Sequence, residues 1–304
     1  MSEKRGLFLI LLTATVSGVS IFANSFAVAG LNPFVFTLLK NLLVAAFLLS
    51  IIILIKEFPS IKRLSKKQLG QLASIGLIGG SIPFLLFFYA LQSTTAINAG
   101  FLHKTLFLWA ALFAVFFLKE RISKRFIAAA TLLLAANFLL FNLSSFGLPE
   151  ALILLATILW AGENALSKHA LKELSGTTVA FGRMFFGSIF ILAFLLLSNQ
   201  IQGILTISIN KLYWVLIASG FLIAFVFTYY NGLKHLPLHK AASILLLAQP
   251  ITAFLSLAFL GKPVSLQQGF AFLLIISGLF LIFGLGLFLH KAKSQNFSYA
   301  PKRA

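Results

Sequence analysis

Unbroken apolar runs of about twenty residues recur along this chain from one end to the other, and no other feature limits its fold as severely. A run of that length crosses the roughly 30 Å hydrocarbon layer as a single helix. Lipid offers the backbone no hydrogen-bond partner, so a spanning segment must satisfy its own amides, which a helix does. Polar breaks divide the runs into five near residues 6–29, 34–55, 69–91, 96–118 and 126–143, and five more near 151–171, 178–197, 212–233, 241–260 and 266–289. The expected fold class is therefore an all-α membrane protein of ten transmembrane helices. With 60% of its 304 residues hydrophobic and 10% charged, the chain has no material for a sizeable soluble domain, which excludes a soluble enzyme or a DNA-binding fold.

The first run follows Lys4 and Arg5 and reaches Ala27-Val28-Ala29, which imitates a signal-peptide cleavage site. It is longer than a signal core, contains Ser17, Ser20 and Asn24, and leads at once into further spans, so an uncleaved helix is expected. The net charge is +18, but lysine and arginine sit in short connections and form no basic stripe. That distribution describes membrane topology, and no nucleic-acid partner is expected. With the N-terminus inside, nineteen basic residues fall on the inner side and Lys211 and Lys262 on the outer, while Lys40, Lys104 and Arg183 lie within spans. Such asymmetry places both termini in the cytoplasm.

The two halves of the chain also resemble each other. A shift of 142 lays Phe117-Leu118-Lys119-Glu120-Arg121-Ile122-Ser123 on Phe259-Leu260-Gly261-Lys262-Pro263-Val264-Ser265, and a shift of 143 lays Lys40 on Arg183. Five crossings return a chain to the opposite side of the membrane, so two five-helix repeats must be inverted relative to each other. The expected division is one repeat over 1–145, a second over 146–290, and a basic cytoplasmic tail over 291–304. Charge follows the inversion: the inward loop around Lys119 to Arg125 is basic, whereas its counterpart around Lys262 keeps one lysine.

On these residues the sequence resembles the EamA-type permeases of the drug/metabolite transporter superfamily, over nearly its whole length. Phe117 to Ser123 is similar to the family's leucine-x-glutamate-arginine signature, and Gln249-Pro250, Trp160-Ala161, Lys40 and Arg183 fit the pattern too. The chain departs from it at Lys262, where relatives usually carry glutamate, and at Ser17-Gly18, where the first span lacks the tryptophan of the sixth. The resemblance implies a secondary transporter, commonly an exporter of amino acids or other small metabolites, with a central cavity between the repeats. It implies a multi-pass protein of a prokaryotic cell (inner) membrane, without a cofactor. The expected partners are a small-molecule substrate, the lipid bilayer, and a proton or exchanged solute as the driving species.

A charge within a span costs at least about 2.5 to 3.5 kcal/mol, so each needs a partner, a cavity or an escape to the interface. By helical rise Lys104 lies roughly 13 Å and Glu163 roughly 18 Å below the outer ends of their spans, near the midplane. Two readings stand together: Lys104 contacts a substrate anion while Glu163 answers an ammonium or exchanges a proton, or the two pair with each other. Lys40 and Arg183 lie roughly 8 to 10 Å from their span starts, within reach of snorkelling. Trp160, Glu163, Asn164 and Ser167 make a polar stripe on span six, as Thr13, Ser17, Ser20 and Asn24 do on span one, suited either to a wet cavity or to interhelical hydrogen bonds. Gly79, Gly80 and Pro83 in span three and Pro250 in span nine are candidates for gating bends. Tyr229 and Tyr230 close the cavity or belong to an interfacial belt. His103 either titrates in the cavity or packs as a hydrogen-bonded side chain. No metal site is expected: there is no cysteine, and His235 and His239 flank Pro237 without an acidic third ligand. The chain lacks aspartate and a Walker A sequence, which argues against an embedded enzyme or an ATP-driven pump and leaves a passive channel, or a carrier or antiporter of other anionic metabolites, as the contrasting readings.

Overall fold

The computed structural model describes residues 2–27, 32–94, 96–139, 146–204 and 208–284. Its helices are α1 (Ser2–Ala27), α2 (Pro33–Leu54), the short α3 (Phe58–Lys62), α4 (Lys66–Ile75), α5 (Ile82–Leu91), α6 (Ala96–Lys104), α7 (Leu106–Phe116), α8 (Lys124–Leu139), α9 (Leu148–Ala170), α10 (Gly176–Leu197), α11 (Ile209–Leu233), α12 (Leu238–Ile244), α13 (Ala248–Leu260) and α14 (Leu266–Phe283). Among the described residues, nine stretches are long and apolar enough to cross a bilayer; α4–α5, α6–α7 and α12–α13 each count as one. The tenth expected span corresponds to α8, whose 16 residues fall short of that length. The rest of its apolar run lies outside the described residues.

Three spans are interrupted, two of them for reasons written in the sequence. Proline lacks the N–H that would bond the carbonyl four residues back, and its ring crowds that carbonyl. A π-helical turn, Gly76–Ser81, accordingly precedes Pro83, and a 3-10 turn, Leu245–Leu247, precedes Pro250. The third break, between α6 and α7 at Thr105, has no proline or glycine to announce it.

The similarity of the halves extends to the way helices start and stop. Lys56 and Asn199 end α2 and α10 in the left-handed conformation, and Lys119 and Gly261 do the same after α7 and α13. Each pair is related by the shift found in the sequence. Beyond these turns, the amide of Glu120 donates to the Ala114 carbonyl as that of Lys262 does to Ser256. Ser123 and Ser265 accept from the amides of Phe126 and Gln268, capping the two final helices. Packing partners exchange in the same manner: α1 lies on α11 as α9 lies on α5, α1 meets α13 as α9 meets α7, and α2 packs on α10 and α8 on α14.

One end of the bundle gathers most of the loop lysines and is drawn together by polar straps. Lys168 donates to the carbonyls of Leu233 and Leu236, and Lys234 to that of Leu174. Lys240 lies 3.5 Å from Glu3 and 6.0 Å from the centre of the Phe283 ring, so both ends of the described chain meet here. Glu120 of the Phe117–Ser123 motif reaches α12, accepting from the Leu238 amide at 2.8 Å and lying in hydrogen-bond contact with His239 Nδ1 at 2.6 Å. Burial by itself would raise the Glu120 carboxyl, but the hydrogen bonds from His239 and Leu238 outweigh it and hold the group below its ordinary value. Folding therefore favours the ionised form. The strap contributes fully above the ordinary carboxyl value of 4.5 and is lost as pH falls through the lower folded value. Thermal melts should show Glu120→Gln less stable than the parent at pH 7, with the gap closing below about pH 4.

Candidate functional site

The middle of the bundle encloses a chamber of about 350 Å³, within the range of small-molecule sites. Its walls come from both halves of the chain. Of the residues singled out in the sequence, Ser20, Lys40, His103, Lys104, Trp160, Glu163, Asn164, Arg183 and Tyr230 all line it. The side chain of Asn24 lies outside the described residues. Ser17 also faces the chamber, while Thr13 turns away and donates to Thr228 on α11 at 2.8 Å, so the polar stripe of α1 divides between lining and packing.

Glu163 on α9 is the centre of the polar network. Its carboxylate accepts from Ser167 Oγ at 2.5 Å and Tyr230 Oη at 2.7 Å, and its other oxygen lies 3.7 Å from Arg183 Nε. Glu163 and Arg183 are both buried, at 1% and 7% exposure. The pairing of Glu163 with Lys104 that equal depth suggested is thus replaced by a pairing with Arg183. Depth along a helix axis does not fix the direction in which a side chain points, and Glu163 faces α10 and α11. Arg183 and Lys40 also do not snorkel: both are buried in the wall, and the Lys40 ammonium sits 4.5 Å over the Phe36 ring. Tyr229 and Tyr230 are buried chamber residues and no interfacial belt.

The turn before Pro83 completes the network. Pro83 has no N–H to offer the carbonyl of Gly79, four residues back. That carbonyl accepts from Trp160 Nε1 and from Arg183 Nη2, each at 3.0 Å. Asn41 of α2 donates to the neighbouring Gly80 carbonyl at 3.0 Å. Glycine is required here by close approach: a Cβ on Gly79 would stand 2.1 Å from Glu163 Cγ, and one on Gly80 2.4 Å from the Arg183 carbonyl oxygen. Gly79, Gly80 and Pro83 therefore do not line the chamber but hold the strand of polar contacts behind it. Pro250 sits beyond the 3-10 turn whose Leu245 and Leu246 face the chamber.

Above this network the wall is aromatic. Phe84, Phe87 and His103 surround Trp160 with ring centres 5.1, 5.6 and 5.0 Å away. His103 Nδ1 is buried without a hydrogen-bond partner, and its ring packs edge-on against those of Phe87 and Trp160. Two contributors that sequence reading passed over are Phe84 and Phe87, hidden among 35 phenylalanines with nothing local to separate lining from lipid-facing rings. Among the described residues no group of three or more His, Cys, Asp or Glu side chains is placed to hold a metal ion.

The sequence profile of the EamA-like transporter family matches the chain twice, over residues 4–142 and 148–284. A curated relative from Clostridium kluyveri, described as an uncharacterized transporter, is 26% identical over 289 residues, covering 90% of this chain and 92% of the relative. A solved crystal structure matches with a TM-score of 0.73 at 18% identity, covering 91% of this chain and 96% of that one, a likeness that speaks to the fold. This multi-pass membrane protein belongs to the EamA-like transporter family.

Proposed function

We propose that this protein is a secondary transporter that carries a small metabolite across the bacterial inner membrane by alternating access, in the direction of export and with amino acids or related compounds as the solute class. The observation that carries this reading is the chamber at mid-span, walled by both halves, with a buried polar network tied to one carboxylate on its wall. Two inverted five-helix repeats, 1–145 and 146–290, with both termini cytoplasmic, supply the moving parts. The double match of the family profile, the paired left-handed turns and the exchangeable packing partners support that division. The straps from Lys168, Lys234 and Glu120 hold the lysine-rich end closed, and a rocking motion would have to release them. A proton or an exchanged solute drives the cycle.

Purified protein in liposomes should give saturable counterflow against a panel of amino acids and metabolites, with a response to an imposed pH gradient. Ohmic, unsaturable current would establish a passive channel instead. Lys104→Ala should lose most transport while melting within about 1 kcal/mol of the parent, because its ammonium donates to no protein acceptor among the described residues whose loss would unsettle the fold.

A further inference from the structure

The chain contains six acidic side chains, all glutamate, and all lie in the described residues. Each is engaged elsewhere. Glu3 meets Lys240, Glu57 accepts from Ser175, Glu120 holds His239 and Glu173 accepts from Gln68. Glu150 accepts from Thr94 and from the Gly147 amide, and Glu163 is taken by Arg183, Tyr230 and Ser167. The chamber thus presents Lys40 and Lys104, neither in an ion pair nor hydrogen-bonded to the protein among the described residues, with the one carboxylate on its wall already committed.

A second cavity adjoins the first. It measures about 790 Å³ and shares Lys104 and Ile21 with the chamber, so Lys104 lines both. Its lining runs past Asn137, Gln249 and Ser256 to Lys262 in the loop between α13 and α14, at the end of the bundle opposite the straps. Its lining includes Asn137, Gln249, Gln267 and Gln268 and no acidic side chain. Lys262 occupies the position that corresponds to Glu120 in the other half, so a carboxylate that would close a strap at one end is exchanged for an exposed cation at the other.

Resting on the transporter reading, we propose that the solute is an organic anion with an apolar or aromatic body, led along a line of cations. Lys262 lines the second cavity, Lys104 lines both cavities, and Lys40 lines the chamber. A cleft lined by one sign of charge between low-dielectric walls concentrates ions of the opposite sign. Inside, an ammonium with no protein counter-ion gains its partner only when the anion arrives, so the neutralisation that the fold leaves unmade becomes recognition. The rings around Trp160 supply contact for the remainder of the solute.

The test uses Trp160 as the reporter and needs no knowledge of the solute. In detergent-solubilised full-length protein carrying Trp109→Phe and Trp214→Phe, the emission of Trp160 is quenched with iodide, caesium and neutral acrylamide at low ionic strength. Iodide should quench about threefold or more better than caesium. Lys104→Gln combined with Lys262→Glu should bring that ratio to one or below while acrylamide quenching stays unchanged, and Lys104→Arg should retain the preference. Caesium matching iodide in the parent, or an unchanged ratio after both substitutions, would overturn the proposal. An iodide preference without any counterflow would instead defeat the transporter reading, and counterflow without the preference would defeat the anion path alone.

Discussion

Replacing Glu163 by alanine is expected to destabilise the protein by about 3 to 5 kcal/mol, the cost of leaving a buried charge without its partner. Arg183 would keep its bond to the Gly79 carbonyl but lose its one carboxylate partner among the described residues, and Tyr230 and Ser167 would lose their acceptor in the same step. Much of the penalty comes from the charge left behind, so its removal should restore stability. Thermal unfolding in detergent should find Glu163→Met with Arg183→Met substantially closer to the parent than Glu163→Ala alone, a coupling readable as a double-mutant cycle. A single Glu163→Ala loss under about 1 kcal/mol would mean that the network is held together by something other than charge.

Adding side-chain bulk at the glycine turn should be the other severe change. On Gly80 a Cβ would meet the Arg183 carbonyl oxygen at 2.4 Å and the Cα of Gly187 at 3.0 Å, and backbone atoms on a packed helix do not rotate out of the way. Gly187 is equally confined, with the Gly80 carbonyl oxygen 2.8 Å from its own Cβ position. Overpacking of this kind costs about 1 to 3 kcal/mol or more, and here it would also displace the neighbouring Gly79 carbonyl that positions Arg183 and Trp160. Gly80→Val should fail to yield a monodisperse, transport-competent protein, whereas Gly100→Ala, Gly220→Ala and Gly269→Ala, where a Cβ has open space, should behave as the parent. Size-exclusion profiles and counterflow rates compare the four directly.

Hydropathy located nine of the spans to within a few residues, because apolar length along one dimension is what a bilayer selects. Proline announced the interruptions at Pro83 and Pro250 through its missing donor, but the break at Thr105 arises from packing that no local residue type reports. Glu163, Lys104, Trp160 and Asn164 were legible as chamber residues from their depth and their polarity. What depth leaves open is azimuth. Arg183 and Lys40 read as residues able to reach the interface, yet their faces of α10 and α2 turn inward. Lys104 and Glu163 both lie near the midplane by depth but face different ways, one onto both cavities and the other toward Arg183. The role of Glu120 was visible only as a motif, since its partners Leu238 and His239 lie 118 and 119 residues away.

The chain has no cysteine, so a single engineered thiol can be followed without background. Ser17 faces the chamber and is the place for it. In oriented vesicles, Ser17→Cys should react with a membrane-impermeant thiol reagent applied to either face, and transported solute should slow both reactions, as a chamber opened alternately to the two sides requires. Reaction from one face only, unaffected by a solute gradient in either direction, would mean a fixed pocket and would contradict the transport cycle described above.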